Sequence, residues 1–493
     1  MGKYILGIDQ STQGTKALIV DKKGRLCARC DIAHKQMISR EGWISHNPEE
    51  IYACTIQVVK NVVEKAGINK NSLVAVGISN QRETTAVWDR AGKPLCPAIV
   101  WQCDRARKVS DRLVEKGYGD VVRAKTGISL SPYFPASKMA WILENMSKAR
   151  ELTDSGDLML GTMDAFLIYR LTGGRDFRTD YSNASRTQLF NISKLMWDDD
   201  LCEIFGVPEK CLPEVTASDA CFGETDFDGY LDEKIPIHGV LGDSHAALLG
   251  HGCLEAGMTK TTYGTGSSVM MNVGEKPVFS ENGIVSSLAW KLGDSVNYVL
   301  EGNINYAGAV ISWLKNDVKL IDSAAETEAL SYEAAKEDDS YLVPAFTGLG
   351  APYWDSHARA ILCNMSRTTG RAEIVRDAVE CIAYQITDII KAMEKDSGSK
   401  IKELCVDGGP TGNNYLMQFQ SDMADVAIHI SEAEEMSGLG AAYAAGLGMG
   451  FFDRKTLFQG KDRKTYLPEM SHEDVAKKYD GWKKAVDRAL IKI

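Results

Sequence analysis

Two short apolar runs in this chain each end in a lone aspartate and then break into small polar residues. They are Tyr4-Ile5-Leu6-Gly7-Ile8-Asp9-Gln10-Ser11-Thr12-Gln13-Gly14-Thr15 and Val240-Leu241-Gly242-Asp243-Ser244-His245. An apolar run of about five residues bounded by a turn signal reads as a buried strand. Each aspartate therefore stands at a strand end, where side chains leave the core for solvent or ligand. Glycines and hydroxyl residues just after Asp9 let backbone N–H groups come close to an anion. Two such carboxylates facing one another across a cleft suit phosphate and metal chemistry.

At 493 residues the chain is too long for one ordinary core, so two domains or more are expected. Lys and Arg total 56 against 67 Asp and Glu, a formal charge of -11 that disfavours nucleic acid as a partner. No apolar run approaches the roughly 18 residues of a membrane span, and the N-terminus passes straight into a strand. No membrane partner and a cytoplasmic location are the expectations. The cysteines are scattered through apolar stretches, as reduced core residues are. Cys27 and Cys30 form a Cys-x-x-Cys, but no second pair lies at zinc spacing and the run reads as strand.

The opening predicts strands over 4–8, 16–21 and 25–33. A helix follows: Asn47-Pro48-Glu49-Glu50 supplies a cap, a proline and early acids, and an apolar stripe from Ile51 to Val63 runs until Gly67. Strand 73–79 completes the unit. Three strands, a helix and a strand differ from the simple alternation of a doubly wound nucleotide fold. The same plan is read again from about residue 236, with the strand ending at Asp243, then 259–272 and 284–301. A long helix over 373–393, a strand 403–407 ending in Gly408-Gly409, and a last helix from Ser471 follow. Two similar units around a cleft is the expected architecture.

In such a cleft one aspartate can hold a divalent cation while the other takes a proton from an attacking hydroxyl, as phosphoryl transfer requires. Thr12-Gln13-Gly14-Thr15-Lys16, Tyr263-Gly264-Thr265-Gly266-Ser267-Ser268 and Asp407-Gly408-Gly409 are phosphate-loop or base-binding candidates; none matches the full P-loop or dinucleotide fingerprint. Asn80-Gln81-Arg82-Glu83-Thr84-Thr85 concentrates donors and acceptors where a polyhydroxylated ligand would need them. Trp101 and Tyr133 can give its carbon skeleton an apolar wall.

These residues, with Asn183-Ala184-Ser185-Arg186-Thr187, Thr347-Gly348-Leu349-Gly350-Ala351-Pro352-Tyr353-Trp354-Asp355 and Tyr133-x-Pro135-x-x-Lys138-Met139-x-Trp141, resemble the FGGY carbohydrate kinases, the glycerol kinases among them. The likeness runs essentially end to end. It implies an α/β fold of two ribonuclease-H-like domains of the actin, sugar kinase and Hsp70 type, an N-terminal domain 1–246 on the substrate side and a C-terminal domain 247–493 on the nucleotide side. It implies ATP and Mg2+ as cofactors, a small polyol or sugar as substrate, and a homo-oligomer, dimer or tetramer. Carried over by position, Asp243 matches the catalytic base, Asp9 and Asp243 the metal-associated carboxylates, and Arg82, Glu83, Trp101 and Tyr133 the polyol contacts. Ser11, Thr12, Gln13, Lys16, Thr265, Gly308, Ser312, Gly409 and Asn413 fall at nucleotide positions.

The departures bear on substrate. Glycerol kinases carry Gly-Asp-Gln-Gln where this chain has Gly242-Asp243-Ser244-His245, and a Phe of the glycerol pocket where it has Ser268. Both changes remove bulk and add hydroxyls, so a polyol or ketose larger than glycerol is the expected acceptor. Glycerol itself is the alternative, and a regulatory or chaperone-type ATPase on the same fold is the reading from another class. Ser11, Lys16 and Pro410 also depart from the family's usual nucleotide-site residues.

Overall fold

The computed structural model describes residues 2–431, 435–459 and 463–490. Its first sheet contains β1 (Tyr4–Gln10), β2 (Gly14–Val20), β3 (Leu26–Ala33), β4 (Leu73–Asn80), β5 (Cys221–Thr225) and β6 (Ile235–Gly242), in the order β5-β6-β4-β1-β2-β3. The second contains β7 (Met258–Tyr263), β8 (Ser267–Gly274), β9 (Val285–Leu292), β10 (Ser295–Ile304), β11 (Glu403–Asp407), β12 (Ile428–Ile430) and β13 (Lys464–Tyr466), in the order β9-β10-β8-β7-β11-β12-β13. In each, an antiparallel hairpin is extended by a parallel crossover: β1 pairs antiparallel with β2 and parallel with β4, and β7 does the same with β8 and β11. The two ribonuclease-H-like units are thus present, with β9 added at one edge.

The point at which the second unit begins corrects the sequence reading. Strand β6 pairs parallel with β4 and lies in the first sheet, so the second copy opens at Met258 and not near residue 236. Asp9 and Asp243 are consequently not repeat equivalents facing one another across the cleft. Both leave the first sheet at the C-terminal ends of its parallel strands, β1 and β6, with β4 between them. A single strand cannot reveal this, because sheet membership is decided by pairing partners more than a hundred residues away.

Local chemistry explains the helices around the site. In α1 (Pro48–Ala66) the Asn47 side chain accepts from the Glu49 N–H, proline occupies the first turn, and Gly67 at φ 62° closes the helix. The other helices used below are α2 (Pro135–Asn145), α3 (Asp243–Gly250), α4 (Gly308–Asn316), α5 (Arg371–Ser397), α6 (Asn414–Ala424) and α7 (Met436–Gly448). α1 covers one face of the first sheet and α7 the other. α7 lies backbone against backbone: a Cβ on Gly77 would come 2.1 Å from the Ala441 carbonyl oxygen, and one on Gly440 1.8 Å from that of Ala246 in α3. α5 is the spine of the second unit's core. Cys27 and Cys30 lie on β3 as free thiols. Among the described residues, no helix is long and apolar enough to cross a membrane.

Candidate active site

Asp9, the Asn80–Thr85 turn and Asp243 lie side by side at the C-terminal ends of the parallel strands of the first sheet. Gln10 and Gly242 both register with Asn80, so Asp9 and Asp243 sit about 10 Å apart by strand spacing, on either side of the turn. Asp9 is buried and accepts a 2.6 Å bond from the Ser79 hydroxyl. Burial raises its pKa to about 6, against the pull of that bond and of Lys16. The Asp243 carboxylate is more open, with 35% of its side chain exposed, and lies 3.1 Å from Arg82 Nε. It begins α3, and its Oδ1 accepts from the Ser244 N–H at 2.6 Å.

Beneath Asp243 lies a buried charge network that spans both units. Arg82 grips Glu301 of β10 through both terminal nitrogens, Nη1 to Oε2 at 2.8 Å and Nη2 to Oε1 at 2.7 Å. Arg186 joins them, with Nε at 2.6 Å from Glu83 Oε1 and Nη1 at 3.0 Å from Glu301 Oε2. Burial alone would raise the pKa of Glu301, but the two guanidinium groups hold it far below the usual carboxylate range. Glu83 has φ 61°, a left-handed conformation that costs a non-glycine residue on the order of 1 kcal/mol or more and recurs at functional sites. Gly242 is required here, since a Cβ would meet Arg82 Cγ at 2.6 Å. His245 is buried beside the network, and burial with Arg82 and Arg186 keeps its imidazole neutral. Ser244 is half-buried beside Asp243, and the Ser268 hydroxyl lies 3.4 Å from Glu301 Oε1.

The aromatic wall lies beside the same turn. Trp101 and Tyr133 have ring centroids 5.5 Å apart, and the indole N–H donates to Thr12 Oγ1 at 3.0 Å. Thr12, a nucleotide position by resemblance, therefore touches Trp101, a polyol position by resemblance. The Trp101 backbone N–H donates to Thr84 Oγ1 at 3.2 Å.

Among the positions that the resemblance gives to the nucleotide, Ser11 closes the β1–β2 turn, its N–H donating to the Gly14 carbonyl at 2.8 Å and its hydroxyl to the same oxygen at 2.9 Å. Gln13 is exposed at the tip. Lys16 is paired with Glu435 at 2.7 Å, so a phosphate would share it with that carboxylate. Opposite, Thr265 is exposed and its carbonyl accepts from the Ala307 and Ala309 N–H groups, while the Gly308 N–H donates to the Gly264 carbonyl. These bonds seat the start of α4 on the Tyr263–Gly266 turn. The Ser312 hydroxyl bonds back to the Gly308 carbonyl within that helix. Gly408 has φ 99° and packs so closely that a Cβ would lie 2.0 Å from the Tyr263 carbonyl oxygen, leaving Gly409 exposed beside it. Asn413 caps α6, accepting from the Leu416 N–H at 2.9 Å, and donates to Thr327 at 3.0 Å.

The site thus joins Arg82, Glu83, Asp243 and Ser268 through two residues for which sequence reasoning gave no role, Arg186 and Glu301. Each left a signal. Arg186 lies inside a quoted motif, and Glu301 is a lone acid in the otherwise apolar run Tyr298-Val299-Leu300. Glu435 gave none, since nothing near it in sequence points to Lys16.

A cleft between two such units, with a carboxylate beside an arginine on one side and glycine-lined turns on the other, defines the sugar-kinase class of phosphotransferase. Residues 4–250 match the FGGY family of carbohydrate kinases, N-terminal domain, and residues 259–449 its C-terminal domain. The chain is 45% identical over 493 residues to a glycerol kinase of Thermoanaerobacter sp. (strain X514), covering 99% of each. It is 44% identical over 493 residues to glycerol kinase 2 of Thermotoga maritima, again covering 99% of each. The structure of Plasmodium falciparum glycerol kinase with ADP superposes with a TM-score of 0.94 at 35% identity, covering 100% of this chain and 99% of the other. The chain belongs to the FGGY family of carbohydrate kinases, which transfer a phosphoryl group from ATP to an alcohol oxygen.

Proposed function

We propose that the enzyme phosphorylates a terminal hydroxyl of a small polyol, glycerol first among them. The observation that carries this reading is the open Asp243 carboxylate beside an Arg82 whose terminal nitrogens are both engaged by Glu301. Arg82 cannot swing away, so it fixes the place where a hydroxyl meets the base. Asp243 accepts the hydroxyl proton as that oxygen bonds to the γ-phosphorus of ATP; the bond from phosphorus to the bridging oxygen breaks and ADP departs. Trp101 and Tyr133 wall the carbon chain, and Glu83, with Arg186 locked to it, faces the same pocket. Thr12, the Thr265–Gly308 turn and Gly409 flank the nucleotide.

Mg2+ keeps most of its waters and needs only one or two carboxylates beside the phosphates. Asp9 and Asp243, at the ends of parallel strands on either side of β4, fit that requirement. Mg2+ would supply charge neutralisation on the transferring phosphates. A cytoplasmic enzyme of two or four subunits belongs to the same proposal, with sedimentation as its check.

Ser244 and Ser268 favour a second reading, a polyol or ketose larger than glycerol, because short hydroxyl side chains stand where glycerol kinases carry Gln and Phe. One experiment decides: ADP release measured with glycerol, erythritol, pentitols, ketopentoses and no acceptor. The first reading expects glycerol to give the highest kcat/KM, and a pentitol or ketopentose ahead of it supports the second. ADP release indifferent to every acceptor would sink both in favour of a signalling ATPase.

A further inference from the structure

Lys138 belongs to a motif that the reaction leaves unused, and its surroundings are not those of a packing residue. It is completely buried in the first turn of α2, and its amine donates to the main-chain carbonyl of Tyr133 and, at 3.5 Å, to that of Trp101. Both carbonyls lie in turns, outside any helix or sheet ladder that would satisfy them. A buried amine is costly unless such groups receive it, and a methionine or leucine would fill the same space without that cost. Burial pushes the amine down to about 7 and Arg105 acts in the same direction, while Glu83 and Cys103 pull it up.

We propose that Lys138 is the positioning residue of the polyol wall, its amine clipping the carbonyls of Trp101 and Tyr133 together so that the two rings hold one spacing. The inference rests on the polyol-kinase reading above. Trp101 is then fixed at three points: its carbonyl by Lys138, its backbone N–H by Thr84, and its indole by Thr12 on the nucleotide turn. Tyr133 is fixed at two, by Lys138 and by the Ser131 hydroxyl, which accepts from its N–H at 3.2 Å. The clip joins segments 32 residues apart that share no strand pairing. Without it the wall can open while the Arg82–Asp243 geometry stays in place, so the loss falls on polyol binding.

Lys138→Met and Lys138→Gln are compared with the wild type, varying polyol and ATP independently. Misplacing a wall by about 1 Å can cost up to about a hundredfold, so Lys138→Met is expected to raise KM for the polyol at least about tenfold. Its kcat should stay within about threefold and KM for ATP should rise less than that for polyol, through Thr12 alone. Lys138→Gln keeps a donor for one carbonyl and is expected to recover part of the polyol KM. An unchanged polyol KM in either variant, or losses in kcat and both KM values that move together without recovery in Gln, would overturn the inference. If the Met variant does not fold, the Gln variant decides on the same criteria. A wild type without polyol-dependent ADP release removes the functional reading first and this inference with it. A polyol-dependent wild type with insensitive variants removes the inference alone.

Discussion

At Asp9, burial and function pull in opposite directions. An acid whose folded pKa lies above its unfolded value of 3.8 favours the protonated native state, so its contribution to stability falls as pH rises from about 4 to about 6 and stays low above that. A carboxyl held at about 6 in the fold in place of 3.8 corresponds to roughly 3 kcal/mol. Asp9→Asn should therefore be more stable than wild type by about that amount at pH 8 and by almost nothing near pH 4, as urea titrations at the two pH values would show. Its nucleotide affinity should also lose the decline expected of the wild type below pH 6, measured with ATP and Mg2+ by calorimetry. Asp243→Asn removes the proton acceptor without touching the nucleotide turns. A positioned general base is worth about 10²- to 10⁴-fold, so kcat should fall by about 10³ while ADP binding stays within a factor of about three. These two residues were legible because two strand-end acids occur together with glycine-rich turns, whereas a lone one is usually a cap or turn residue. Arg186 and Glu301 were not, because a buried ion pair is identified by a partner that the local sequence does not name.

Elements whose reasons are local were read from the chain, and those whose reasons are distant were not. The cap, proline and stripe of α1 lie within one stretch of sequence, as do the strand and turn signals of β1 to β4. The membership of β6 in the first sheet depends on β4, and the reading placed it at the head of the wrong unit. Helix α7 gave no stripe because its small residues serve close approach on several sides: Gly438 to Leu18, Gly440 to α3 and Gly446 to Phe452. Its most demanding contact is with α3, the helix that Asp243 begins. Gly440→Ala places a methyl 1.8 Å from the Ala246 carbonyl oxygen, so one helix must move. Overpacking of this kind costs about 1–3 kcal/mol, and the shift passes to Asp243, one turn away at the start of α3. A lower melting temperature with a fall in kcat larger than the change in KM for ATP is the expected result. An unchanged kcat at reduced stability would show that α7 yields and α3 stays in place.

For the molecule as a whole, Glu301 is the junction. It comes from the second unit, and both cations that grip it, Arg82 and Arg186, come from the first. The units also meet through neutral bonds, the Leu288 N–H on Ser185 at 3.2 Å and the Tyr298 hydroxyl on the Ile192 carbonyl at 2.8 Å. They meet as well through charged groups, the Lys16–Glu435 pair at 2.7 Å and the Gly293 N–H on the Asp219 carboxylate at 3.0 Å, and through the packing of α7 on the first sheet. Removing the carboxylate leaves Arg82 with Asp243 and Arg186 with Glu83 as their remaining carboxylate partners, and breaking a buried pair of this kind costs about 3–5 kcal/mol. Glu301→Gln should therefore destabilise by about that amount, and adding Arg186→Met to it should cost less than the sum of the separate changes, because the arginine has already lost one partner. If the network is what couples the units, scanning calorimetry should show one transition in the wild type and two in Glu301→Gln, one for each sheet and its helices. A single transition merely shifted to lower temperature would mean that the remaining contacts suffice for coupling. Glu301 would then matter for holding Arg82 beside Asp243, and its loss would appear in kcat with the two halves still melting together.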